Sequence, residues 1–135
     1  MPLLTIATFL PILAGLALMA LPDRSTKTAH TVSIAATGAV FLVTLAIWAR
    51  GTTAGEFAQV EEIAWIPAIG AAYRLGVDGL SLPLVLLTSL LFFLSAIYSA
   101  RIGERAASYV VLMLMLETAS LGTFMALDGL LFYVF

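Results

Sequence analysis

The sequence predicts an all-α fold. It is a polytopic bundle of four complete transmembrane helices and the start of a fifth, interrupted by one short, hairpin-like extramembrane loop. Of its 135 residues, 62% are hydrophobic and only 10% are charged, whereas an average soluble domain carries roughly 25% charged residues. A chain of this length has too much surface for its volume to hide so much apolar area from water, so lipid must cover the excess. Uncharged stretches of about 20 residues, the length that carries a helix across a hydrocarbon core of about 30 Å, recur along the chain.

Span one covers residues 1–22. It has no basic residue ahead of its apolar run and is too long for a signal-peptide core. Pro11 sits inside it and removes one backbone donor, so a kink is expected there, with the freed carbonyl met by a neighbouring helix or water. Span two covers 31–49, and its Ala35, Ala36, Gly38 and Ala39 allow close approach of another helix or serve as ordinary lipid-compatible packing. Residues 51–78 form the outer-surface loop. Within it, apolar and aromatic residues flank turn formers at Ile69 and Gly70, which reads as a short hairpin with Trp65 and Tyr73 at headgroup level. Span three covers 79–100, with Ser81 read as N-cap and Pro83 in the first turn. Span four, 106–127, is broken by one charge, Glu117. The last run, 129–135, would be only about 10 Å long as a helix, so it reads as the start of a fifth span in the N-terminal part of something longer. Lys and Arg favour cytoplasmic loops. Arg24, Lys27, Arg101 and Arg105 lie in the two short loops, against Arg50 and Arg74 flanking the acidic long one, which predicts an external N-terminus.

Composition also excludes whole classes of chemistry. The chain has no Cys and a single His, which removes disulfides, thiolate nucleophiles and Fe–S ligation and leaves no metal cluster. Its six basic residues form no stripe suited to nucleic acid. With no nucleotide, flavin or metal motif, no catalytic, cofactor-binding or metal-ligating residue is expected.

The run from Leu75 through Asp78, Gly79, Ser81 and Pro83 to Thr88 resembles the entry to the third helix of the antiporter-like subunits of NADH:quinone oxidoreductase. It is more similar to chain M, called chain 4 in mitochondria, than to chains L or N. A second block, Leu116-Glu117, then Leu121 to Asp128 and Leu131 to Phe135, resembles the fourth helix and the entry to the fifth. The two blocks cover roughly the second half of the chain. The resemblance implies an N-terminal fragment of a fourteen-helix subunit, multi-pass in a bacterial cytoplasmic membrane. Such a subunit carries protons while other membrane subunits assemble with it. FMN, Fe–S clusters and quinone would then belong to partner subunits. In that family a well-known proton-carrying Glu follows a Phe-Trp or Phe-Phe pair in helix five, beyond Phe135. Relatives with a related layout include multi-subunit sodium/proton antiporters and membrane-bound hydrogenases, and an inactive truncated product is a third alternative.

Three carboxylates are candidates for a proton path: Glu117, Asp78 and Asp128. A carboxylate near a helix centre costs roughly 2.5 to 3.5 kcal/mol on insertion scales, so Glu117 should face protein or water. It is either a proton relay or a hydrogen-bonded link between helices, with Thr118 near it and Ser120 and Thr123 in partial reach. Asp78 and Asp128 lie at span ends, where capping and interfacial anchoring compete with a place on an exit path. His30, beside a loop, reads as solvated surface.

Overall fold

A computed structural model describes residues 3–21, 26–50, 58–77, 79–101, 106–127 and 129–135. Four long helices, α1 (Leu3–Ala20), α2 (Thr26–Arg50), α3 (Ser81–Tyr98) and α4 (Ala106–Met125), are each long and apolar enough to cross a membrane. A short α5 (Gly129–Val134) follows. Between α2 and α3 the chain forms strands β1 (Ala58–Ile66) and β2 (Ala71–Val77), paired antiparallel.

Two boundaries differ from the sequence reading. Helix α2 begins at Thr26 rather than residue 31, because nothing in residues 26–30 breaks a helix. That extension carries His30 onto the inner face, where it is only 6% exposed beside the buried Ala29 and Ser33, so the solvated reading of His30 is corrected. Helix α3 starts at Ser81 itself, with Leu80 in the N-cap place and no side-chain cap. Ser81 is therefore the first helical residue rather than the cap, and Pro83 remains in the first turn, where its missing N–H does no harm.

Helix α1 packs chiefly on α4, and α2 chiefly on α3. The interior separates into two apolar clusters. One joins Leu4 and Ala7 of α1, Val40 and Ile47 of α2, and Leu121 and Met125 of α4 to Leu75 and Val77 of the hairpin. The other joins Leu18, Ala29, Ala36, Ala106, Val110 and Leu114. Between α2 and α3 the buried hydroxyls of Thr44 and Ser89 meet at 2.7 Å. The small-residue stretch of α2 does admit a close neighbour at Gly38, but the neighbour is the Phe93 ring, which stacks on Phe41. Outward leucines such as Leu13, Leu42, Leu91 and Leu112 are more than half exposed, which suits a lipid or helix environment rather than water.

The hairpin is docked onto the bundle. Its turn, a 3₁₀ segment over Pro67–Ile69, closes at Gly70 with φ +70°, a left-handed conformation that favours glycine. Glu62 faces Arg74 across the strands and pairs with it at 2.8 Å. On β2, Leu75 and Val77 are fully buried. The Leu127 N–H donates to the Arg74 carbonyl at 3.0 Å, and Leu75 bridges to Ala126. A Cβ on Gly76 would lie 2.7 Å from Leu127 Cδ1, so a larger residue there would require the Leu127 side chain to shift.

Candidate functional site: a carboxyl buried inside the bundle

Residues Ala106, Val110, Met113, Leu114, Glu117, Thr118, Leu121, Gly122 and Met125 form the buried stripe of α4. Their spacing of three and four is that of one helix face. Glu117 stands in this stripe where the two apolar clusters part, with Leu114 in one and Leu121 in the other. On α2 the same division falls between Ala36 and Val40, and the residue following Ala36 is the buried Thr37. Glu117 and Thr37 thus each stand, on their own helix, between residues of the two apolar clusters.

Glu117 is 0% exposed, and neither carboxyl oxygen has a hydrogen-bond partner among the described residues. Ser120 and Thr123, expected in partial reach, bond instead to their own helix, at the carbonyls of Leu116 (2.9 Å) and Ala119 (2.8 Å). Thr118 is buried and points across to α1, where its Oγ1 accepts the Ile12 N–H at 3.1 Å. Helix α1 runs through Pro11 without ending. The contact beside the proline is therefore a donor met by a neighbouring side chain, where the sequence reading expected a freed carbonyl to be met. Asp78 and Asp128, the other two candidates, lie outside the described residues.

The sequence does not point to one carboxylate that the structure engages. Glu61, on β1, caps the start of α1: Oε1 accepts the Leu4 N–H and Oε2 the Thr5 N–H, each at 2.9 Å, and the Thr5 hydroxyl also donates to Oε2. The first N–H groups of a helix have no partner within it and carry the positive end of its dipole, so an anion there is stabilising. Tyr73, opposite Ile63, adds to this junction. Its hydroxyl lies 3.1 Å from Thr5 Oγ1, and its ring stacks on Phe9 at 6.2 Å. Burial pushes the Tyr73 hydroxyl above its ordinary value of 10.0; the Thr5 hydrogen bond pulls it down, and the Glu61 charge adds a smaller upward push. Tyr73 is therefore a packing residue against α1, while Trp65 remains 46% exposed.

Four helices long and apolar enough to cross a membrane, a hairpin docked on them and, among the described residues, one fully buried carboxyl define a multi-pass membrane protein. No family model matches the chain. Subunit M of the NADH-quinone oxidoreductase of Rhodobacter capsulatus is 40% identical over 139 residues, covering 98% of this chain and 27% of that protein. Chain 4 1 of the NAD(P)H-quinone oxidoreductase of Picosynechococcus sp. is 37% identical over 138 residues, covering 98% of this chain and 25% of that one. Among solved structures, a chain of respiratory complex I from Thermus thermophilus with bound NADH superposes with a TM-score of 0.77 at 31% identity, over 97% of this chain and 26% of that one. The chain belongs to the subunit M, or chain 4, family of NADH:quinone oxidoreductase membrane subunits. It spans about a quarter of the length of the curated relatives it matches.

Proposed function

We propose that this chain serves in a proton-translocating NADH:quinone oxidoreductase of a bacterial cytoplasmic membrane, with Glu117 on the proton path. The buried carboxyl of Glu117, without a hydrogen-bond partner among the described residues, carries the proposal. A carboxyl held as a link between helices makes a hydrogen bond to one of them, whereas one that passes protons must give and take them through groups that come and go. NADH oxidation and quinone reduction, with their FMN and Fe–S clusters, belong to partner subunits, and Asp78 and Asp128 stand as candidates for the exits of the same path. Membranes from cells lacking this chain should lose acidification driven by NADH oxidation. Loss of sodium/proton exchange with NADH-driven acidification intact favours a sodium/proton antiporter subunit instead.

The same reading sets the N-terminus outside, with the hairpin on the outer surface and Lys27 in the cytoplasm. A cysteine replacing Trp65 should react with an impermeant thiol reagent in intact cells, and one replacing Lys27 should not. Rapid labelling at position 27 overturns this orientation.

A further inference from the structure

Many threonine and serine hydroxyls in these helices bond to their own backbone. Those of Thr8, Thr31, Thr37, Thr88, Ser120 and Thr123 each donate to a carbonyl three or four residues earlier, and of the paired Thr44 and Ser89 one donates to such a carbonyl and the other to its partner hydroxyl. Such back-bonding satisfies a hydroxyl inside a helix without help from any neighbour. Thr118, buried like Thr8, Thr37 and Thr44, differs from them: its hydrogen bond runs across to α1, where it accepts the Ile12 N–H.

The origin of that donor lies in Pro11. A proline inside a helix removes one N–H, and its ring crowds the carbonyl four residues back, so the turn around it opens. The N–H that reaches α4 is that of the residue immediately after the proline. The bond therefore joins the proline-bearing turn of α1 to the residue next to Glu117. A Cβ added at Gly15, one turn further along α1, would meet Leu114 at ordinary contact distance, so α1 and α4 also run close together there.

We propose that Thr118 is a positioning residue for Glu117, fixing the α1–α4 register through Ile12 and keeping its own hydroxyl proton available at the level of the carboxyl. This rests on the proton-path reading of Glu117. An accepting hydroxyl that makes no bond to its own helix retains one proton to donate. The adjacent carboxyl is the strongest acceptor on the same stripe. Pro11 immediately precedes the residue whose N–H makes this bond, and its replacement by Ala tests whether the proline directs that N–H across to α4.

The test uses the assembled enzyme in membrane vesicles and measures complex content, NADH:quinone electron transfer and protons translocated per electron pair. Thr118→Val keeps the shape and removes the hydroxyl; Thr118→Ser keeps the hydroxyl. Thr118→Val should lower proton translocation about threefold at unchanged complex content, the factor that corresponds to an average hydrogen bond between membrane helices. Thr118→Ser should restore it. Pro11→Ala should act in the same direction, and the Pro11→Ala/Thr118→Val double variant should be no worse than Thr118→Val alone, since both remove one interaction. Normal pumping in Thr118→Val, equal loss in Thr118→Ser, or a loss that merely tracks complex content overturns the inference. Glu117→Gln is measured in parallel. Slow pumping in that variant beside normal pumping in Thr118→Val refutes only the positioning role, whereas normal pumping in Glu117→Gln refutes the reading of Glu117 on which it rests.

Discussion

Two glutamates in this chain sit in opposite circumstances. Glu61, on the surface hairpin, accepts two backbone N–H groups and a hydroxyl at the start of α1. Glu117, in the middle of the bundle, is fully buried and has no partner among the described residues. The first carboxylate is fully engaged in holding one element to another, and its geometry explains why it is there. Burial of the second costs stability with no bond in return, and such a cost is characteristic of a functional group inside a membrane. The difference separates a charge with an evident architectural role from one whose burial no hydrogen bond among the described residues accounts for.

The contrast makes predictions of unequal size. Glu61→Ala should destabilise the protein most, by about 2 to 3 kcal/mol, because three donors lose a charged acceptor and the helix loses its cap. Thermal unfolding in detergent measures this, and amide exchange should rise first at Leu4 and Thr5. A change below about 0.5 kcal/mol would mean that water replaces the cap at no cost.

Gly76→Val attacks the same junction from the other side by driving side-chain atoms into Leu127. Overpacking of this kind costs about 1 to 3 kcal/mol. The hairpin should lift from the end of α4, and the emission of Trp65 should report its changed surroundings. Unchanged stability would show that Leu127 can move aside.

Tyr73 gives the smallest effect. Because its hydroxyl is pushed above 10.0 in the folded state, the folded protein retains that proton when the unfolded chain has begun to release it. Stability is then lost as pH rises past 10 and is unaffected by this group below it. Comparing the alkaline unfolding of Tyr73→Phe with that of the unaltered protein isolates the contribution. An identical slope above pH 10 in the two proteins contradicts it.

The spans were legible because hydropathy and charge act locally along a helix, and Glu117 was legible as the one charge inside a span. The hairpin could be read from the mixed apolar and aromatic residues that flank Ile69 and Gly70. The role of Glu61 was hidden in an acidic loop, because its partners Leu4 and Thr5 lie 57 and 56 residues away and no local pattern encodes that meeting. His30 was misread for a related reason: proximity to a loop suggested water, while helix α2 extended past it and turned its face inward. Ser81 shows the limit of cap signals, since the sequence Ser-Leu-Pro permits helix entry either after the serine or at it.

The central claim, that Glu117 exchanges protons rather than joining helices, is tested most directly by Glu117→Gln in the assembled enzyme. Gln keeps the size and can hydrogen-bond but cannot release a proton. Because the wild-type carboxyl makes no bond to a described residue, stability and complex content should stay within about 1 kcal/mol of normal. Protons translocated per electron pair should fall, incompletely if other midplane carboxyls share the flow. Normal pumping with normal assembly in Glu117→Gln, together with poor assembly in Glu117→Ala, would contradict the account and leave Glu117 as a structural link.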